Sequence, residues 1–242
     1  MYKRQNKRRK KLNNSIEITK ICVALNNKNI LNNLSLTLNT GLITCIVAPN
    51  GTGKTTFFKS IVQLIPLESG EVIVDKTSIK NRTDYNKKIF FIESANQLFA
   101  NLTVYENMQV AAKLWKHDAN FESIINLVGV NTYINKKIKH LSAGMKQKAL
   151  LSVAIASGAS FLIFDEPLNG LDIENVEYLT TVFLTLKEQG KTLLLSSHNI
   201  FEISKLCDAI YFLDSGILKS ASLDYLQLKE EYYELYATKG RA

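Results

Sequence analysis

The nonapeptide Ala48-Pro49-Asn50-Gly51-Thr52-Gly53-Lys54-Thr55-Thr56 lies between two apolar segments. Residues 42–47 before it form a short apolar run, and residues 57–65 after it carry apolar side chains at helical spacing. This order predicts a strand, a glycine-rich loop and a helix. Because glycine has no side chain, Gly51 and Gly53 let backbone N–H groups turn inward around an anion, which the helix N-terminus also attracts. The segment is therefore predicted to bind phosphate.

The loop departs at one position from the phosphate-binding pattern G-x-x-x-x-G-K-[ST], because Ala48 stands where the first glycine belongs. A Cβ is accepted at that position if φ is negative. Lys54 is expected to reach the β- and γ-phosphates of a nucleotide, and the Thr55 hydroxyl to bind Mg²⁺. The alternative is an ordinary turn followed by Lys-Thr by chance, but the flanking strand and helix favour a nucleotide site. The predicted nucleotide-binding residues are Pro49, Asn50, Gly51, Thr52, Gly53, Lys54, Thr55 and Thr56.

The composition indicates one large domain with a substantial core, because 46% of the 242 residues are hydrophobic. The apolar runs are too short to cross a bilayer, and the N-terminal residues do not resemble a secretory signal. The three cysteines lack metal-ligand spacing and are expected to be ordinary thiols in a reducing compartment. These features predict a cytoplasmic protein.

The net charge of +8 is concentrated at the N-terminus, where Lys and Arg occupy seven of the first eleven positions. Such a run is expected to be disordered. It could contact anionic lipid, at about 1 kcal/mol per charge near the surface, or remain solvated without a role. Binding of nucleic acid by this tail is the less favoured interpretation.

Alternating and continuous apolar runs predict the sheet strands. Residues 15–25 and 34–38 are predicted strands with turns at Asn26-Asn27 and Asn32-Asn33, and later strands are expected at 70–75, 88–92, 161–164 and 192–196. Helical spacing is found at 103–130, 142–156, 172–188 and 199–207, with a hairpin at 209–219 and a terminal helix at 222–236. The order predicts an α/β P-loop NTPase fold with a mixed, parallel-core sheet, an antiparallel β subdomain and an inserted helical subdomain at about 95–155. Outside the domain at 15–236, we predict a basic tail at 1–14 and a C-terminal tail at 237–242.

Acidic residues follow the apolar strand at 161–164. A P-loop enzyme needs a carboxylate at a neighbouring strand end to hold Mg²⁺, and Asp165 fits this role. Glu166 is placed to accept a proton from an attacking water. His198 ends another predicted strand and could hydrogen-bond the γ-phosphate at the same sheet edge. An acid pair or a lone histidine facing solvent would be the structural alternative.

With these motifs, the chain resembles the nucleotide-binding domain of the ATP-binding cassette (ABC) family. Residues 141–148 resemble the family signature, 165–172 the Walker B motif and D-loop, 102–107 the Leu-Thr-Val-x-Glu-Asn segment, and His198 the switch histidine. The resemblance implies that two such domains pair head to tail around two ATP molecules. Ser142 and Gly144 of one chain would then close on the γ-phosphate held by the other, and Asp172 would couple the two sites.

Several positions differ from the family pattern. Ala143 and Met145 replace a glycine and a glutamine of the signature. Glu93 stands nearly where the Mg²⁺-contacting glutamine is expected, and Gln97 lies slightly late; we favour Glu93 as the metal ligand because carboxylate oxygens serve Mg²⁺. The adenine-stacking aromatic is missing, and Val23 or Leu25 would give only an apolar contact, which predicts weak selectivity for the base.

The resemblance implies an ATPase subunit that binds ATP and Mg²⁺, forms a homodimer or a heterodimer, and lies on the inner face of the cell membrane against a transmembrane permease subunit. Residues 95–140 would receive that partner. Export is favoured because the Ile92-Glu93-Ser94 pattern resembles exporters of peptides or antibiotics and because the chain ends soon after the terminal helix. An importer ATPase is the alternative within transport. The alternative outside transport is an ABC ATPase that acts on nucleic acid or a protein assembly. A P-loop kinase is disfavoured, because the chain carries the signature.

Overall fold

The computed structural model describes residues 14–236. The predicted tails, apart from Asn14, lie outside the described residues. The strands are β1 (Asn14–Leu25), β2 (Lys28–Asn39), β3 (Ile43–Val47), β4 (Ser69–Val74), β5 (Thr77–Ser78), β6 (Ile89–Ile92), β7 (Phe161–Phe164), β8 (Thr192–Ser197), β9 (Ala209–Asp214) and β10 (Ile217–Ala221). The α-helices are α1 (Lys54–Ile61), α2 (Arg82–Asn86), α3 (Val104–Trp115), α4 (Phe121–Val128), α5 (Ala143–Ala156), α6 (Ile173–Glu188), α7 (Ile200–Leu206) and α8 (Tyr225–Tyr236). Short 3₁₀ turns occupy Ala95–Gln97, Asn131–Tyr133 and Ile138–His140.

The larger sheet has the strand order β10-β9-β3-β8-β7-β6. Its strands are parallel except for β10, which pairs with β9 as an antiparallel hairpin. Every residue of β3, β7 and β8 is buried, because helices or the second sheet cover both faces of a parallel sheet. The carboxyl ends of these three strands meet at one edge. The predicted mixed sheet with a parallel core is confirmed.

The second sheet is antiparallel, in the order β2-β1-β4-β5. Asn26 and Asn27 both have positive φ and form the turn between β1 and β2, as this geometry requires. The predicted turn at Asn32-Asn33 is wrong, since β2 runs through it. Asn33 keeps a positive φ of 48° as an irregularity inside the strand, with its N–H donated to Cys22 Sγ at 3.3 Å.

The larger sheet separates two hydrophobic clusters. Ile43, Cys45 and Val47 of β3 point to the cluster formed with α3 to α6, whereas Ile46 packs with α1 and the antiparallel sheet. This alternation follows the two-residue period of a strand. Burial on both faces fixes the position of β3, and therefore the start of the glycine-rich loop that follows it.

Helices α3, α4 and α5 lie between β6 and β7 in the chain. Helix α3 begins with a capping box in which Thr103 and Glu106 satisfy each other's backbone N–H groups. Ser142 caps α5, as the sequence predicts. Over residues 14–236, none of the helices has both the length and the apolar content needed to span a bilayer.

Candidate functional site

The glycine-rich loop joins β3 to α1. Gly51 and Gly53 have φ values of +80° and +107°, in a region that side chains other than glycine rarely adopt. Ala48 has a negative φ, so its Cβ causes no strain there. The Lys54 side chain is 6% exposed and donates from Nζ to the carbonyl oxygens of Ala48, at 2.7 Å, and Pro49, at 3.2 Å. The lysine thus lies folded across the loop, with its charge at the mouth of the site.

Thr55 and Asp165 meet at the carboxyl edge of the sheet. Thr55 Oγ1 donates to Asp165 Oδ2 at 2.5 Å, across a separation of 110 residues. A hydroxyl and carboxylate oxygens are the hard donors that Mg²⁺ accepts, with water and substrate oxygens completing its shell. The residues present therefore fit a magnesium ion held between the first turn of α1 and the end of β7.

Ser196 joins the two acids of the site, and sequence reasoning missed it. Its fully buried hydroxyl donates to Asp165 Oδ1 at 2.5 Å and accepts the backbone N–H of Glu166 at 2.8 Å. The available signal was a serine directly after the buried leucines of β8. Since β8 lies beside β7, Ser196 holds the Asp165 carboxylate and the Glu166 backbone.

Glu166 lies between two nitrogen groups. Its Oε1 is 3.3 Å from Lys54 Nζ, and its Oε2 is 2.6 Å from His198 Nδ1. Glu166 has a φ of +52°, an unusual conformation for a non-glycine residue and one that concentrates at functional sites. The turn directs its carboxylate toward the glycine-rich loop. Lys54, Glu166 and His198, from three separate parts of the chain, are therefore brought together.

Lys54 and Glu166 border a cavity of about 230 Å³. It is lined by Ile30, Asn50, Gly51, Gly53, Lys54, Thr55, Thr56, Asp165 and Glu166. A polar lining with buried Lys54 and backbone N–H groups at a helix N-terminus suits a polyphosphate. His198 borders an adjoining cavity with Glu166 and Asn169.

Glu93 is not brought into this cavity. Its Oε1 lies 2.6 Å from Lys59 Nζ on α1, and its backbone N–H donates to Gln97 Oε1 at 3.0 Å. The predicted magnesium ligand is thus in an ion pair one helical turn beyond Thr55. Gln97 itself borders an apolar groove.

The predicted base contacts also differ in placement. Val23 is 1% exposed within the core between β1, β2 and α1, so it is excluded as a surface for adenine. Leu25 is 38% exposed. Ile30, which the sequence did not suggest, borders the phosphate cavity directly.

The signature residues lie at a second place. Ser142 Oγ accepts the Met145 N–H at 3.3 Å as the cap of α5, and Asp172 caps α6 through the Asn175 N–H at 2.8 Å. Together with Gly144 and Asn175 they border a separate cavity of about 340 Å³. Within one chain, Ser142, Gly144 and Asp172 are therefore not brought to the Lys54 site.

Comparison with known proteins agrees with this geometry. The family model described as "ABC transporter" matches residues 31–169. The chain is 31% identical over 190 residues to the lantibiotic transport ATP-binding protein SrtF of Streptococcus pyogenes, covering 78% of this chain and 82% of that protein. It is 28% identical to the manganese transport system ATP-binding protein MntA of Synechocystis sp., covering 89% and 87%.

The fold is also that of a solved ATP-binding subunit of an ABC transporter, with a TM-score of 0.82 and 22% identity over 94% of this chain and all of the other. The strands, the glycine-rich loop and the acids at the sheet edge are therefore parts of a P-loop NTPase fold. ATP-binding subunits of this kind hydrolyse ATP, dimerise and work with a membrane transporter subunit. The match over more than half of its length and the similarity to SrtF place this chain in the ABC transporter family, as an ATP-binding and ATP-hydrolysing subunit.

Proposed function

We propose that the chain powers an exporter through ATP-driven, head-to-tail pairing of two ATPase subunits. The observation that carries the catalytic part is the contact of Glu166 with both Lys54 and His198 beside the Thr55–Asp165 pair. Export is supported by the Ile92-Glu93-Ser94 pattern and by the similarity to a protein named for lantibiotic transport. An importer ATPase is the second candidate, supported by the similarity to a protein named for manganese transport.

In the proposed reaction, Lys54 changes partners. Its ammonium lies 3.3 Å from Glu166 Oε1, close enough to offset the charge of that carboxylate. The β- and γ-phosphates carry more charge than one carboxylate, so they would draw Lys54 toward the loop and leave Glu166 free to accept a proton from the attacking water. His198 Nδ1 would keep the Glu166 carboxylate in place. Mg²⁺ bound by Thr55 and Asp165 would neutralise charge on the phosphate oxygens. Glu93 would approach this magnesium position only after its ion pair with Lys59 breaks.

The signature cavity requires a second chain in this proposal. Ser142 is exposed and caps the start of α5. A helix N-terminus binds phosphate well. Lys148 borders this cavity, whereas Lys54 of the glycine-rich loop borders the other one. A second subunit would place its own ATP there. The partner is either another copy or a different ATPase subunit.

The membrane partner is proposed to dock on an apolar groove of about 220 Å³ between β6 and α3. Phe99 and Leu114 at its rim are 56% and 66% exposed. Asn107, Val110 and Ala111 also border it, and Asn107 hydrogen-bonds the backbone of Phe99. Met108 is buried in the core. Docking there would place the subunit on the inner, cytoplasmic face of the membrane. The basic tail could add a contact with anionic lipid, and a nucleic acid partner is disfavoured.

The test is ATP hydrolysis by the wild-type chain and by Glu166→Gln, with dimerisation followed by size-exclusion chromatography in ATP. We expect hydrolysis to fall by at least about a hundredfold and an ATP-bound dimer to accumulate. Glu188→Gln, a change at an exposed residue near the end of α6, is the matched control and should behave as wild type. Unchanged turnover in Glu166→Gln would contradict the proposed base. Co-purification with RNA or DNA in place of an integral membrane protein would contradict a role in transport.

A further inference from the structure

Tyr236, at the end of α8, has its hydroxyl beneath the glycine-rich loop. Tyr236 Oη lies 2.9 Å from the carbonyl oxygen of Leu213 and 3.3 Å from that of Val47. Val47 is the last residue of β3, and Leu213 is the next-to-last residue of β9. The contact with Val47 spans 189 residues of sequence. A residue near the C-terminus thus contacts the strand that leads into the nucleotide site.

The two carbonyls lie where adjacent strands separate. Val47 and Phe212 are the last register partners of the parallel β3–β9 pair. Beyond them β3 turns into the loop, while β9 continues into its hairpin with β10. Strand ends that diverge have no further ladder hydrogen bonds between them, and buried carbonyls require partners. The tyrosine hydroxyl supplies a donor at this point.

Both carbonyls are linked to the loop. Val47 precedes Ala48, whose carbonyl accepts Lys54 Nζ. The Leu213 side chain is fully buried and lies close to the loop. If Gly53 carried a Cβ, that atom would be 3.9 Å from Leu213 Cδ2. A shift of either strand end would therefore disturb the loop, whose residues line the phosphate cavity.

The ring of Tyr236 is fixed by aromatic neighbours. It lies edge-on to Phe212 at 6.0 Å and 4.9 Å from the ring of Tyr232, and Leu228, fully buried, anchors the same helix. Burial raises the pKa of Tyr236, and the nearby Asp214 and Tyr232 raise it further. The hydroxyl therefore stays a hydrogen-bond donor at neutral pH.

We propose that Tyr236 is a positioning residue for ATP binding, because its hydroxyl joins the ends of β3 and β9 under the glycine-rich loop. This inference rests on the proposed nucleotide site. It predicts that the terminal helix and the phosphate cavity stabilise each other, as linkage between two sites requires.

The test compares Tyr236→Phe with Tyr232→Phe in the full chain, below the unfolding temperature of both variants. Tyr232 is the matched control because it lies on the same helix and packs on the same Phe212 ring. For Tyr236→Phe we expect the KM for ATP and the Kd for a non-hydrolysable ATP analogue to rise by at least about threefold, with kcat within about twofold of wild type. Tyr232→Phe should leave all three unchanged. A lower melting temperature with unchanged KM and Kd would overturn the proposal and leave Tyr236 a structural residue.

A second measurement uses only the wild-type chain, in case Tyr236→Phe does not fold. Binding of the ATP analogue should slow hydrogen exchange in residues 228–236. The exchange of residues 121–128 in α4, which do not border the phosphate cavity, should serve as the reference. Unchanged exchange of the terminal helix in the presence of bound analogue would overturn the proposal. Failure of the wild type to bind the analogue at all would instead overturn the proposed nucleotide site.

Discussion

Glu93 and Lys59 form an ion pair, with 2.6 Å between Glu93 Oε1 and Lys59 Nζ. Lys59 lies four residues after Thr55, on the same face of α1. The carboxylate is therefore one helical turn away from the proposed magnesium position and is occupied by a cation. Mg²⁺ and Lys59 would compete for it.

Lys59→Met and Glu93→Gln are expected to change Mg²⁺ binding in opposite directions. Lys59→Met releases Glu93 and should lower the Mg²⁺ concentration for half-maximal ATP binding. Glu93→Gln removes the carboxylate charge and should raise that concentration. Each change should be about three- to tenfold. The double variant should resemble Glu93→Gln, which separates release of the carboxylate from removal of the lysine charge. Nucleotide binding titrated with Mg²⁺ measures this. The same change in both single variants would show that the pair has only a structural role.

Ser196→Ala is expected to lower both stability and turnover. The change leaves the Glu166 N–H without its partner and removes a donor to Asp165, at a cost of about 1–3 kcal/mol. We expect kcat to fall by about tenfold, because Asp165 would lose the hydroxyl that holds its carboxylate in place. Ser197→Ala is the control, because Ser197 is also buried but accepts the N–H of Asn199 at the start of α7. Equal kcat values in the two variants would contradict a role for Ser196 in orienting the acids.

The two loop glycines should respond differently to alanine. A Cβ at Gly53 would lie 2.8 Å from Ile30 Cγ2, whereas one at Gly51 meets nothing within 4 Å. Both substitutions carry the backbone cost of positive φ, about 1–2 kcal/mol, but Gly53→Ala adds a steric clash. ATP affinity should therefore fall further in Gly53→Ala, and the added change Ile30→Ala should restore part of the difference. No restoration would show that the backbone alone decides the loss.

Tyr85 is expected to make the protein sensitive to alkali. It is fully buried, its hydroxyl donates to the Ile61 carbonyl at 2.7 Å, and burial raises its pKa. In the unfolded chain this tyrosine ionises near pH 10, while in the folded protein it keeps its proton. The contribution of Tyr85 to the unfolding free energy is therefore fully present below about pH 10 and is lost as the pH rises above it.

Tyr85→Phe should therefore cost about 1 kcal/mol of unfolding free energy at pH 8 through the lost hydrogen bond. The difference from wild type should narrow at pH 11, because the variant no longer has this ionisable group. Urea unfolding at the two pH values measures it. A difference that stays constant with pH would show that Tyr85 does not contribute to alkaline unfolding.

Much of the fold could be predicted because its signals are local. The buried runs of β3, β7 and β8, and the capping residues Ser142 and Asp172, depend on neighbours within a few positions. The error at Asn32-Asn33 has the same origin. Asparagine is common in turns because it tolerates a positive φ, and Asn33 does have one, but pairing with β1 places the residue inside a strand.

The glycine-rich loop, the acid pair after β7 and the histidine after β8 could be predicted from sequence alone, because each is a short motif whose chemistry requires those residue types. Three contacts could not: Ser196 with the acids, Glu93 with Lys59, and Tyr236 with Val47. These contacts depend on strand order and register, which bring together residues up to 189 positions apart. A local sequence pattern cannot predict such contacts, because strand order and register are set by burial of both faces of the sheet.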